Sequence, residues 1–192
     1  MKSFMIAVAA GIGLLSMPAE ARTITGGLTT VEVTADVTGL GLSAAPLGTA
    51  TFSGGVFGFP ITGGSVTGAG AMIEHDGSGV TLSAIADPSV SASIGDFFID
   101  TMAATVSGNI IGGASGVTFF TFGDIDSDGI DLLISNDLAG ALTGVFGAPD
   151  LTGAVFGVAN TAPELAPIPL PAGLPLIATG LLAFGWLRRR KA

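Results

Sequence analysis

The chain contains no cysteine and no tyrosine, and charged side chains make up only 11% of its 192 residues. Without cysteine there is no disulfide framework, no thiol nucleophile and no thiolate metal ligand. The scarcity of positive charge is more informative. Of the six basic residues, Lys2 and Arg22 flank an amino-terminal apolar stretch, and Arg188, Arg189, Arg190 and Lys191 stand together at the carboxyl end. Residues 23–187 contain neither lysine nor arginine, while the same span holds fourteen of the fifteen acids. A body so charged has nothing to neutralise phosphates, which excludes nucleic acid and anionic membrane surfaces as partners. It has no basic side chain for an internal ion pair, and no lysine for Schiff-base chemistry. Its aromatic repertoire is phenylalanine alone, because the one tryptophan, Trp186, lies in the apolar tail.

What the chain does have is an address at each end. Lys2, the apolar residues 4–15, and then Met17, Pro18, Ala19, Glu20 and Ala21 form the three parts of a secretory signal peptide. Ala19 and Ala21 supply the small residues that signal peptidase requires, which places cleavage after Ala21. The apolar stretch is too short for the ~20 residues of a membrane span. At the other end, a proline-rich segment with Pro163, Pro167, Pro169 and Pro171 precedes the apolar residues 174–187 and the basic cluster. Proline lacks an amide proton and drives its predecessor to extended geometry, so this segment is read as an exposed peptide that a protease can bind. The bases hold the extreme end in the cytoplasm and leave the body outside. As a helix, residues 174–187 reach ~21 Å against a hydrocarbon core of ~30 Å, which suits a transient stop.

The order Ile168, Pro169, Leu170, Pro171, Ala172, Gly173, then apolar residues, then arginines, resembles the VPLPA-CTERM sorting domain. That domain is a relative of the PEP-CTERM signals of Gram-negative bacteria, and the signature departs from it only by Ile168 in place of valine. The resemblance covers about the last twenty-five residues. It implies processing by an exosortase-type membrane protease in an organism that makes an exopolysaccharide. A sortase signal is the nearest competitor, since Leu170, Pro171, Ala172 and Gly173 are similar to LPxTG, but the threonine that sortase needs is missing; a plain tail anchor is the other alternative.

Composition and spacing divide the chain into a signal peptide (1–21), a secreted domain (22–160), a proline-rich linker with the sorting motif (161–173), a membrane helix (174–187) and a basic tail (188–192). The domain is of ordinary size and needs no staples to bury a core. Its apolar residues recur with period two, as in Val31, Val33, Ala35 and Val37, and again in Val80, Leu82 and Ala84. Further strand-like runs occupy residues 50–59, 97–106 and 117–122, and glycine clusters separate them. The expected fold is all-β, an antiparallel sandwich or barrel. One short helix is expected after Ser135 or Asn136 as cap, carrying Leu138, Leu142 and Val145 at helical spacing up to Gly147.

Candidates for chemistry are few. Asp124, Asp126, Asp128 and Asp131 surround Gly129 with the spacing of an oxygen-rich loop for calcium, although the position where an EF-hand places its bidentate glutamate is Ser135. An acidic turn between strands explains the same residues. Glu74, His75 and Asp76 contain the only histidine; the following Gly77, Ser78 and Gly79 read as a hairpin turn, which puts His75 at the surface. Asp96 and Asp100 are the remaining close carboxylate pair. No nucleophile elbow and no second histidine accompany them. The expected function is therefore that of an exported, non-enzymatic surface or matrix protein linked to exopolysaccharide, with a calcium- or small-solute-binding module as the alternative.

Overall fold

The computed structural model describes residues 21–167, so the signal peptide before Ala21 and the sorting motif, apolar run and basic tail after Pro167 lie outside the described residues. The body is an antiparallel sheet with one short helix. In chain order its strands are β1 (Arg22–Val33), β2 (Leu42–Gly48), β3 (Thr51–Ser53), β4 (Val56–Pro60), β5 (Gly63–Val66), β6 (Ala71–Ala84), β7 (Ser91–Asp100), β8 (Thr105–Ile110), β9 (Val117–Ile125), β10 (Ile130–Ile134) and β11 (Val155–Leu165), with α1 (Asn136–Phe146) between the last two.

The sheet closes on itself, so of the two expected architectures it is the barrel that forms. From β5 to β11 each strand pairs with the next, and β11 returns to β1, whose other edge carries β4 and β5. Closure pairs both edges of the ring strands over part of their length, which limits the free edges that an open sheet exposes to other chains. Three strands lie off this ring: β4 on β1, β3 on β4, and β2 on the second half of β6.

Closure requires sharp curvature, and glycine supplies it. Gly79 of β6 pairs with Gly95 of β7, and Gly108 of β8 stands next to Asn109, the residue that pairs with Gly95. A Cβ on Gly79 would stand 2.3 Å from the Ile94 carbonyl oxygen, and one on Gly108 would stand 2.7 Å from that of Gly95. The same region holds bulges between His75 and Gly79 in β6 and between Gly95 and Phe98 in β7. Bulges and glycine kinks are the devices that bend a strand around a barrel.

Two expectations are corrected here. Asp76, Gly77, Ser78 and Gly79 are the bulge within β6 and do not form a hairpin turn, because β6 continues through them to Ala84. The carboxyl-terminal strand also runs to Leu165, five residues past the domain boundary at 160 and into the stretch assigned to the linker. Pro163 is tolerated because β10 pairs only as far as Ala159, which leaves β11 without a partner on that side.

The interior is filled by a line of phenylalanine rings. Phe57 and Phe59 of β4, Phe97 of β7 and Phe119 of β9 follow one another at centroid separations of 5.9, 5.1 and 6.0 Å, the last two edge to face. These separations are in the favourable range for aromatic pairs. The contact between Phe59 and Phe97 spans the barrel from β4 to β7, strands that do not pair.

The helix forms where the spacing predicts. Ser135 caps it, with the Oγ accepting from the Leu138 amide at 3.1 Å, and Gly147 ends it in the left-handed conformation at φ 68°. Leu138, Ala139 and Leu142 are buried against the barrel.

Candidate functional site

Inside the ring lies a cavity of about 90 Å³, lined almost wholly by carbon: Val31, Phe57, Ile94, Leu132 and Phe156 from the strands, and Leu138 and Leu142 from α1. Three polar side chains break this surface. They are His75 of β6, Thr29 of β1 and Thr161 of β11. Thr29 and Thr161 are direct partners across the β1 to β11 seam.

His75 is 1% exposed, which overturns its expected position at the surface. The strand period explains the difference. Ile73 and His75 point inward while Met72, Glu74 and Asp76 point out, and the bulge that follows keeps the histidine within the strand. Its Nδ1 lies 3.2 Å from the Phe97 carbonyl oxygen and its Nε2 lies 2.8 Å from Thr29 Oγ1, which lies 3.1 Å from Thr161 Oγ1.

The carbonyl fixes the direction of the whole chain of bonds. A carbonyl only accepts, so Nδ1 carries the proton and donates to Phe97. Burial pushes the imidazole below its ordinary value, against the opposing pull of the Phe97 carbonyl and of Asp76, so the ring is neutral near pH 7. Nε2 therefore accepts from Thr29, and Thr29 in turn accepts from Thr161. Every donor in the series is used, and what remains free is acceptor capacity alone, two sites on Thr161 Oγ1 and one on Thr29 Oγ1.

The carboxylates are placed otherwise. Asp126 and Asp128 stand in the short loop between β9 and β10, with Asp124 and Asp131 on the flanking strands. Asp126 Oδ1 accepts from the amides of Asp128 and Gly129, at 2.8 and 3.3 Å, so it holds the turn. Asn160 ties the loop to β11 through the Asp128 carbonyl at 2.6 Å. Among the described residues no three histidine or acidic side chains converge as a metal cluster. Asp96 braces the β6 bulge by accepting from the Gly77 amide at 2.8 Å, and Asp100 accepts from the amides of Met102 and Ala103 in the turn after β7. Both therefore serve the backbone.

Ala21 is the first described residue and precedes β1 directly, whereas Ala19 and the sorting and basic residues from Ile168 onward lie outside the described residues. Among those described, no helix is long and apolar enough to cross a membrane. The polar series of His75, Thr29 and Thr161 escaped the reading of the sequence, although the alternation of Ile73 and His75 with Met72, Glu74 and Asp76 is its visible trace. No family model, curated protein or solved structure matches the chain.

Proposed function

We propose that this is an exported, non-enzymatic barrel protein, delivered through its signal peptide, held by its carboxyl-terminal segment and cut there by an exosortase-type protease for release to the cell surface or an exopolysaccharide matrix. The ordered signature at Ile168, Pro169, Leu170, Pro171, Ala172 and Gly173, followed by an apolar run and a basic cluster, carries this reading. The geometry of the barrel suits it. Ile24 pairs with Leu165, the Ala166 amide donates to the Thr23 carbonyl at 2.9 Å, and Arg22 donates to the Ala166 carbonyl at 3.2 Å. Both ends of the body thus meet at one point of the barrel, next to the two places where cutting is expected.

The test is expression of the full chain in a Gram-negative host with and without an exosortase. Mass spectrometry of the product is expected to show a mature amino terminus at Arg22, and loss of the basic tail only where the exosortase is present. Replacement of Pro169 and Pro171 by alanine is expected to leave the tail attached. Tail loss that is indifferent to both the protease and the prolines sinks the reading.

A further inference from the structure

We propose that the barrel interior is a binding site for a small uncharged alcohol, whose carbon skeleton lies among Val31, Ile94, Leu132 and Leu142 and whose hydroxyl donates to Thr161 Oγ1. This is independent of how the chain is exported. Three observations set the class of ligand.

The first is volume. The cavity of about 90 Å³ is several times the ~10 to 15 Å³ that a single water needs, and smaller than the ~150 Å³ site that accepts benzene. A molecule of about four or five carbons matches it. The second is the lining. A buried water needs two to four polar partners and offers both donors and acceptors, whereas the lining offers only acceptor sites, on the adjoining Thr161 and Thr29 hydroxyls, and carbon elsewhere, so water filling this volume is a poor occupant. An ion is poorer still, because no opposite charge lines the cavity to offset its loss of hydration.

The third is the direction of the hydrogen bonds. Thr161 donates to Thr29, Thr29 donates to His75, and His75 donates to the Phe97 carbonyl. The series ends in an acceptor, so a ligand must bring the proton. An alcohol does so, whereas a ketone or an ether does not. A donated bond to a fully ordered series is also stronger than one to an isolated hydroxyl.

The experiment uses 1-butanol and n-pentane, which differ by a methyl group in place of the hydroxyl. Each is titrated into the full chain in deuterated detergent micelles, and methyl NMR follows the isoleucine, leucine and valine signals. Saturable shifts and ligand contacts at Ile94, Leu132 and Leu142 are expected, with none at the surface methyls of Ile85, Ile111 and Ile125. Thr161→Val is expected to weaken butanol by roughly tenfold, the loss of one buried hydrogen bond, and to leave pentane within about twofold. Thr161→Ser keeps the hydroxyl and is expected to keep the preference, which guards against a valine variant that fails to fold. Absence of saturation, contacts confined to the surface methyls, water signals on the lining methyls, or equal losses for both probes would each overturn the proposal.

Discussion

His75 Nε2 accepts a hydrogen bond from Thr29 Oγ1 at 2.8 Å across the interior, which joins the bulged strand β6 to the closing strand β1. The two strands share no direct ladder, so this bond ties parts of the ring that the backbone does not pair. It depends on a neutral ring. Burial holds the imidazole below its ordinary value, so in the window below that value the unfolded chain binds a proton that the native one refuses. Stability is then full above the ordinary histidine value, falls as pH drops below it, and levels off once pH passes the lowered native value. Unfolding free energies from urea titrations between about pH 7.5 and 5 are expected to fall by up to ~1.4 kcal/mol per pH unit within that window, and His75→Gln is expected to flatten the slope. Asp87 and Asp150 are held low by the hydroxyls of Ser89 and Thr152, so what they contribute is lost only at more acid pH.

The sequence revealed the parts of this fold that depend on local chemistry. Ser135 and Gly147 delimit the helix because a hydroxyl satisfies an amide at its start and a glycine adopts the left-handed conformation at its end. Period-two runs found parts of the strands, such as Val31 with Val33 in β1 and Val80 with Leu82 in β6, but the runs at 50–59 and 97–106 each prove to be two strands joined by a turn, at Gly54 with Gly55 and at residues 101–104. What stayed hidden was decided by partners distant in the chain. Gly79 looks like a turn residue until Gly95 and the Ile94 carbonyl lie against it. His75 looks like part of a polar loop until Phe97 and Thr29 receive it, and Thr161 shows its role only when β11 closes on β1.

Ser135 holds two structures at once. Its Oγ accepts from the Leu138 amide and donates to the Thr118 carbonyl of β9, so the cap also fastens the helix to the barrel. Ser135→Ala is expected to cost about 1 to 2 kcal/mol in urea unfolding, at the upper part of the range for a cap, because the half-buried Thr118 carbonyl loses this donor as well. Asn136→Ala, one residue on, is expected to change stability by no more than about 0.5 kcal/mol.

Gly157 and Gly140 make opposite predictions for the same substitution. A Cβ on Gly157 would lie 2.2 Å from the Glu32 carbonyl oxygen, in the seam that closes the ring, whereas one on Gly140 of the helix meets nothing within 4 Å. Gly157→Ala is expected to destabilise by about 3 kcal/mol or more, because backbone on both sides must move. Gly140→Ala is expected to stabilise by about 1 kcal/mol, through helix propensity alone. Thermal melts of the two variants beside the parent check both signs.

The acidic body carries a prediction about salt. Residues 23–187 hold fourteen acids and neither lysine nor arginine, so their mutual repulsion is not relieved by interspersed positive charge. Screening shortens the Debye length from ~30 Å at 0.01 M to a few Å near 1 M, and the folded state, which packs the charges closer than the unfolded chain does, gains more from it. The melting temperature is therefore expected to rise by about 3 °C between about 10 and 500 mM NaCl, the equivalent of about 1 kcal/mol for a domain of this size. Asp126 and Asp128 share the loop between β9 and β10, and Asp124 stands near the end of β9 beside it, so Asp124→Asn with Asp128→Asn is expected to raise stability at low salt and reduce the dependence on salt. Calcium separates screening from binding at this loop. If millimolar calcium acts only through ionic strength, it matches NaCl of equal ionic strength in both parent and variant; a larger rise in the parent that the double variant abolishes identifies a cation held by these carboxylates.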